Sequence, residues 1–179
     1  MLCAQPVAHD SVLIRRIDTM FRDDQFWRKE YFNMLNKKSA YDQKTIECKW
    51  AQADSINELK AKEIVARYGF PGFRLAGDRT NSFWAIVQHC DDDIRFQEKI
   101  LKLMKAKLKS GDADKQNYAY LVDRVLVNKH QKQVYGTQVR TDPKTGVSAP
   151  FPVADPQNLD KRRKSMGLQP ISEYLKSFK

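Results

Sequence analysis

The stretch of residues 84–93 begins with apolar residues and ends with an amide, an imidazole and three consecutive carboxylates. Such an apolar run has to be buried, because its contact with water costs free energy. A buried segment therefore delivers Gln88, His89 and the aspartates to one place, and we expect a functional site there. Two later stretches, residues 118–124 and 133–138, have the same mixed character and are predicted to contribute to that site.

A chain of 179 residues with 41% hydrophobic residues is typical of one globular domain with a complete core. Nine Phe, seven Tyr and three Trp supply large apolar surfaces, whereas seven Gly and seven Pro leave few interruptions of regular structure. We therefore predict a mainly α-helical fold, a single compact domain over residues 10–179. One small β-hairpin near residues 125–139 is the only sheet that we expect.

Apolar residues at helical spacing, together with capping residues, predict the helices. Ser11 is the expected cap of the first helix. Ser55 and Glu58 form a capping box, which separates the second predicted helix from the third. Gly69 supplies the left-handed stop of the third helix. The predicted helices cover residues 11–35, 41–53, 55–68, 83–89, 94–109, 118–124, 159–166 and 171–178.

The apolar residues 125–127 can either continue the helix that begins at residue 118 or start a strand. A turn at residues 128–132 and the following stretch 133–139 favour the strand, and with it a hairpin. Residues 141–156 contain several prolines and a glycine, so they are predicted to form an extended strap.

The formal charge of +10 is unevenly distributed, because residues 1–100 carry 16 basic and 15 acidic side chains. The excess of positive charge in the second part of the chain favours either anionic partners or simply a solvated basic surface. Nucleic acid is not an expected partner, since no RNA-recognition, zinc-finger or helix-turn-helix signature is present. No apolar run approaches the ~18 residues of a membrane span, so no span is expected. The oligomeric state stays open.

The first six residues resemble the end of an export signal, with the small residue Ala4 near a cleavage point. We therefore predict that residues 1–9 are a disordered start or the remnant of such a signal. A periplasmic or secreted location follows from this prediction, and a cytoplasmic location is the alternative. In an oxidising compartment Cys48 and Cys90 can form a disulfide, whereas two buried free thiols are the alternative.

His89 is the first candidate catalytic residue, because an imidazole titrates near neutral pH and can serve as a general acid or base. It needs a carboxylate or carbonyl that fixes its tautomer, and Asp93 and Asp123 are the two candidates for this role. Asp123 is accordingly the second candidate catalytic residue. Arg124 presents a planar fork of donors, which suits a carboxylate or phosphate group of a ligand.

Other polar side chains are candidates for holding a ligand. Asp24 and Arg28 lie four residues apart and share one helix face, where they can pair, although an ordinary surface ion pair is the alternative. The polar groups can also form a buried network that only stabilises the fold. The candidate ligand-binding residues are Asp24, Gln25, Arg28, Gln88, Arg124, Gln133, Tyr135, Thr137 and Gln138.

No metal and no other cofactor is expected. The chain has no Cys-x-x-Cys pair, and one imidazole beside three adjacent carboxylates lacks the spaced ligands of a zinc site. Nucleophilic catalysis is not indicated either, because neither a Gly-x-Ser-x-Gly elbow nor a phosphate loop is present.

Seven short motifs follow one another along the chain, namely Asp24-Gln25-x-x-Arg28, Tyr68-Gly69-Phe70-Pro71, Gln88-His89, Phe96-Gln97, Tyr120-Leu121-x-Asp123-Arg124, Tyr135-Gly136-Thr137-Gln138 and Lys161-Arg162-Arg163-x-x-x-Gly167-Leu168. In this order they resemble a bacterial family, the DUF6624 domain family, over residues 10–178. The resemblance implies a small, often exported bacterial protein, but it brings no established activity and no catalytic residue. Where the family has a short turn, this chain has residues 128–132, which include His130.

Two functional hypotheses follow. In the first, the polar His/Asp/Arg/Gln site belongs to a cofactor-free enzyme, a hydrolase or lyase that acts on a small anionic or sugar substrate. In the second, the same groups form a non-catalytic ligand-binding or interaction module.

Overall fold

A computed structural model describes residues 9–178, so the predicted export-signal remnant lies almost entirely outside the described residues. Within this range eight α-helices, one short 3-10 helix and one two-stranded antiparallel sheet form. The predicted mainly α-helical fold with one small hairpin is confirmed. The elements are α1 (Ser11–Leu35), α2 (Gln43–Tyr68), α3 (Phe73–Ala76), α4 (Arg79–Gln88), α5 (Ile94–Leu108), α6 (Lys115–Asn128), β1 (Val139–Thr141), β2 (Ser148–Pro150), the 3-10 helix (Pro156–Asn158), α7 (Leu159–Ser165) and α8 (Ile171–Lys176).

Helix α1 has the predicted bounds, but a different residue caps it. The carboxylate of Asp10 accepts hydrogen bonds from the backbone N–H groups of Val12 and Leu13, at 3.0 and 2.9 Å. Asp10 therefore takes the capping role predicted for Ser11. Further along the helix, Leu13 and Ile17 are buried in the core, as the helical spacing of the apolar residues predicts.

Helix α2 is one continuous helix, so the predicted break before Ser55 is wrong. The Ser55 hydroxyl donates to the Ala51 carbonyl at 2.9 Å, which is a bond along the helix rather than a cap. Buried residues such as Ile46 and Asn57 lie on both sides of that point, and the Asn57 amide donates to the Met20 carbonyl of α1 at 2.9 Å. Packing against α1 therefore outweighs the local capping signal.

Helix α4 lies at the centre of the fold. It contacts α1, α2, α3, α5 and α6, and its residues Phe83, Ile86 and Val87 are buried. The apolar part of the stretch 84–93 is therefore buried at Ile86 and Val87, as predicted. Because α4 ends at Gln88, the polar residues that follow emerge from the core at one point.

The corner between α2 and α3 depends on two glycines, for different reasons. Gly69 has a φ of 68°, which favours glycine, and it ends α2 as predicted. Gly72 has an ordinary φ, but a Cβ atom there would overlap the backbone and carboxylate of Asp112. Asp112 in turn accepts hydrogen bonds from the Arg74 backbone N–H at 2.7 Å and from Lys107 at 2.5 Å. These contacts tie α3 to the turn between α5 and α6.

The hairpin lies further along the chain than residues 125–139. Residues 125–127 belong to α6, and the two paired strands are β1 and β2, with Arg140 opposite Ala149. Val125 is buried on the same helix as Leu121, so packing of α6 against α5 decides the conformation of this β-branched stretch. Gln133 makes a single parallel bridge with Val153 rather than forming a strand.

The two cysteines of the described range are free thiols. Of the two alternatives, free thiols are therefore present rather than a disulfide, but only Cys90 is buried, whereas Cys48 is exposed. Among the described helices, none has the length and apolar character that crossing a membrane requires.

We predict that Asp112→Asn lowers the free energy of unfolding at pH 7 by about 1–3 kcal/mol, because it weakens buried, charge-assisted hydrogen bonds. Burial raises the pKa of the Asp112 carboxyl, but the Arg74 N–H and Lys107 outweigh it and hold this pKa below 3.8. A depressed folded-state pKa stabilises the fold above the unfolded pKa, and this stabilisation is lost as the pH falls through the folded-state pKa.

Urea unfolding of the wild type and the variant at several pH values measures this effect. The difference between the two proteins should be full at neutral pH and should shrink below about pH 3.8. A difference that stays the same in acid would contradict the assignment.

Candidate functional site

His89 is held by a buried carboxylate from another helix. It caps the C-terminus of α4, and its Nδ1 atom lies 2.9 Å from Oδ1 of Asp24 in the middle of α1. The Asp24 side chain is only 1% exposed, whereas that of His89 is 18% exposed. The carboxylate partner of His89 is therefore Asp24, and the prediction of Asp93 or Asp123 for this role is wrong.

Asp24 is itself fixed by two further predicted residues. Arg28 contacts Asp24 Oδ1 at 2.9 Å, and the Gln25 amide donates to Oδ2 at 2.7 Å. The guanidinium of Arg28 also forms a two-pronged pair with Asp54 of α2, at 3.0 and 3.1 Å. The predicted pairing of Asp24 with Arg28 is therefore present, and it is part of a largely buried network rather than an ordinary surface ion pair.

His89 lines an open cavity of about 350 Å³, which we call the histidine groove. One wall is a single face of α2, and the other consists of His89 and Asp92 from the connection between α4 and α5. The residues contributed by α2 are Glu47, Trp50, Ala51, Asp54, Ser55 and Glu58.

The residues of the α2 wall are not among the predicted site residues, although the sequence contains a signal for them. Glu47, Asp54 and Glu58 are spaced by seven and four residues, which places them on one face of a helix. The predicted break at Ser55 separated them into two helices and concealed this spacing.

The groove has an excess of negative charge. Asp54 is paired with Arg28, and Glu58 with Lys62 at 2.5 Å, but Glu47 and Asp92 make no ion pair with any described residue. Hydrogen bonds to Asp93 and then to Glu58 raise the pKa of Lys62, so this lysine stays charged and neutralises part of the acidic surface. An anionic ligand would meet two uncompensated carboxylates there.

Cys90 follows His89, but its burial does not favour a role as nucleophile. Burial raises the pKa of its thiol to about 12, and its Sγ atom donates to the Ile86 carbonyl at 3.5 Å. A thiol with such a pKa holds almost no thiolate at neutral pH, and the thiolate is the reactive form.

A second group surrounds Asp91. Arg124 donates to both carboxylate oxygens of Asp91, at 2.8 and 2.5 Å, and Asn128 donates to it at 2.8 Å. Burial raises the pKa of Asp91, but the contact with Arg124 outweighs it and lowers this pKa below the ordinary value. The Arg124 guanidinium is therefore engaged by Asp91. The predicted role of Arg124, binding a carboxylate or phosphate group of a ligand, does not fit this arrangement.

A third group is built around Asp123, which is completely buried. Its carboxylate accepts hydrogen bonds from the backbone N–H groups of Val134, Tyr135 and Thr137, at 2.8 to 3.2 Å, and from the Thr137 hydroxyl at 2.9 Å. Asp123 therefore fixes the loop that follows α6. This environment leaves no accessible oxygen for catalysis, in contrast to the role predicted for Asp123.

The remaining predicted residues belong to the same loop network. The side-chain oxygen of buried Gln133 accepts a hydrogen bond from the Gln138 backbone N–H at 2.7 Å. The side-chain nitrogen of Gln133 donates to the Gln138 backbone carbonyl at 3.0 Å. Completely buried Arg163 donates to the Tyr135 carbonyl at 2.7 Å. Gln133, Tyr135, Thr137 and Gln138 thus hold the fold together, and they do not join His89 in one cleft.

Gln88 is partly buried, and its backbone carbonyl accepts a hydrogen bond from the Gln97 side chain at 3.3 Å. Of the predicted residues, Asp24, Gln25 and Arg28 are the ones that gather around His89. Within residues 9–178, no three His, Cys, Asp or Glu side chains come together in a group that could hold a metal ion.

Residues 16–179 match the model of a family described as a family of unknown function, DUF6624. No curated protein and no solved structure matches the chain.

We predict that Asp123→Asn destabilises the fold by about 2–4 kcal/mol, because an amide N–H₂ group would face backbone N–H donors that lose their acceptor in a buried place. Thermal or urea unfolding measures this loss. The matched control is Asp92→Asn, because Asp92 is exposed and makes no ion pair with a described residue. The free energy of unfolding of this variant should stay within about 0.5 kcal/mol of the wild-type value. Equal stabilities of the two variants would contradict the structural role of Asp123.

Proposed function

The chain belongs to the DUF6624 family, and we propose that it is an acid–base enzyme, a hydrolase or lyase, that acts on a sugar-like substrate in the histidine groove. The contact between His89 Nδ1 and Asp24 Oδ1, at 2.9 Å, is the observation that carries this proposal. A buried carboxylate at one ring nitrogen fixes the tautomer and orientation of an imidazole.

The other ring nitrogen, Nε2, makes no hydrogen bond with any described residue, and His89 lines the groove. With a proton held on Nδ1 by Asp24, Nε2 carries the lone pair and is the basic atom. This arrangement supports a role of His89 as general base and a role of Asp24 as the residue that positions it.

In a hydrolysis, Nε2 takes a proton from a water molecule while the water oxygen attacks the electrophilic carbon of the substrate. The imidazolium then returns this proton to the leaving oxygen, so one water is consumed and His89 is regenerated. In a lyase reaction, Nε2 takes the proton from a carbon atom next to a carbonyl group of the substrate. The C–O bond to the leaving group then breaks as a C=C bond forms, and the imidazolium gives its proton to the leaving oxygen, so no water is consumed. Both reactions need one base with a free ring nitrogen.

The charges of the groove favour a neutral, hydroxyl-rich substrate over an anion. Glu47 and Asp92 make no ion pair within the described range, although Gln43 donates to one Glu47 oxygen at 2.7 Å, and both carboxylates can accept hydrogen bonds from hydroxyl groups. The arginines that would attract an anion are already engaged, since Arg28 pairs with Asp24 and Asp54, and Arg124 pairs with Asp91. A sugar is therefore the better of the two predicted substrate classes.

We also propose that the protein acts in the bacterial cell envelope, where such saccharides are available. The similarity of the first residues to the end of an export signal supports this location. A cytoplasmic location is the alternative.

A binding module without turnover is the second candidate function. It is favoured by the fact that most of the predicted polar residues lie in closed networks around Asp91 and Asp123 rather than in the groove. In that case the pairing of Asp24 with His89 only positions a hydrogen-bonding group for a ligand.

The test uses wild type, His89→Gln and Asp24→Asn with a panel of neutral oligosaccharides. Reducing-sugar release detects hydrolysis, and mass spectrometry detects a lyase, because an elimination product lacks the water that a hydrolysis product gains. Each substitution should lower kcat by about 10²–10⁴-fold, because it removes the base or the group that orients it. The control is His130→Gln, a histidine outside the groove, which should keep wild-type activity.

The outcomes distinguish the two candidates. A ligand that raises the melting temperature of the wild type but gives no product identifies a binding module. Turnover that survives His89→Gln unchanged excludes His89 as the base and overturns the proposed mechanism.

A further inference from the structure

A second cavity, of about 750 Å³, lies at the C-terminal end of α6 and is separate from the histidine groove. We call it the α6 cavity. Its apolar walls are formed by Ile94, Val127, Phe151 and Pro152. A volume between about 300 and 1,000 Å³ with mainly apolar walls is typical of small-molecule sites.

The wall that contains Phe151 is fixed by hydrogen bonds. The buried Gln133 side chain donates to the Phe151 carbonyl at 2.9 Å, and the Gln133 backbone N–H donates to the Pro152 carbonyl at 2.8 Å. The Phe151 N–H in turn donates to the Gln138 carbonyl at 3.0 Å. The cavity is therefore formed before any ligand enters, which lowers the entropic cost of binding.

Lys132 gives the cavity a positive character. Asp91 lines it, but Arg124 and Asn128 already occupy the Asp91 carboxylate, so this residue contributes no free negative charge. Lys132 and His130 also line it, and neither makes an ion pair with a described residue. An acidic group bound beside Lys132 would not compete with another carboxylate there.

His130 occupies a position that usually holds glycine. Its φ is 57°, and the backbone around it closes the C-terminus of α6, with the Gln131 N–H bonded to the Leu126 carbonyl at 2.8 Å. A side chain in this left-handed conformation costs conformational free energy that glycine avoids. The chain nevertheless has an imidazole in the lining of the cavity, which supports a role for that side chain in binding.

From these observations we propose that the α6 cavity binds a small amphiphilic anion, a molecule with an aromatic or aliphatic body and one acidic group. The body contacts Val127, Phe151 and the other apolar walls. The acidic group lies at the entrance, within reach of Lys132 and His130. This proposal does not depend on the function of the histidine groove, because the two cavities share no lining residue.

Two fluorescent probes test the proposal. Anilinonaphthalene sulfonate is an aromatic anion, and phenylnaphthylamine has the same aromatic body without the acidic group. The wild type should bind the sulfonate more tightly than the neutral probe. Lys132→Ala should weaken sulfonate binding about fivefold, as the loss of one ion pair implies, and should leave binding of the neutral probe unchanged.

The matched control is Lys105→Ala, which removes another exposed lysine, one outside the cavity, and should bind both probes like the wild type. A second variant, His130→Gly, should keep or raise the melting temperature, because glycine suits the left-handed backbone, and should still weaken sulfonate binding. Lost binding with retained stability separates a ligand contact from a folding defect.

The proposal is overturned if the wild type binds neither probe, if both probes bind equally, or if Lys132→Ala and Lys105→Ala have the same effect. Binding of the sulfonate through exposed apolar residues elsewhere gives the last of these results.

Discussion

Burial of α4 is the constraint on which the rest of the structure depends. Five other helices contact it, and its apolar residues Phe83, Ile86 and Val87 are enclosed. Removal of these side chains from water favours assembly of the core, at about 25 cal/mol for each Å² of apolar surface. Because the helix ends at Gln88, the same packing that buries its apolar face carries His89 to the surface beside α1 and α2.

The need to pair buried polar groups divides the polar residues into those that hold the fold and those that can act. Asp123 has all its oxygens occupied by backbone donors, and Asp91 is occupied by Arg124 and Asn128. His89 differs from them, since one ring nitrogen is held by Asp24 and the other has no partner among the described residues. A polar side chain with one fixed and one free atom is suited to chemistry, whereas a fully paired one is suited to support.

Local charge, rather than the net charge of the chain, decides what each cavity can accept. The chain carries a net charge of +10, yet the histidine groove has an excess of negative charge. Two carboxylates in its lining, Glu47 and Asp92, make no ion pair within the described range. At the α6 cavity the opposite holds, since Asp91 is neutralised and Lys132 is free of ion pairs within the described range. The groups without an ion-pair partner therefore differ between the two cavities, which favours different ligands.

The sequence by itself determined the helical class, the bounds of α1, the stop at Gly69 and the start of α5, where the Asp93 carboxylate accepts from the Phe96 N–H at 2.9 Å. These features depend on contacts within a few residues, which a local pattern records. Only the tertiary structure decided the continuity of α2, the position of the hairpin and the partner of His89. Asp24 lies 65 residues before His89, and Asp91 lies 33 residues before Arg124. Local patterns carry no information about such pairs, because packing of the helices brings them together.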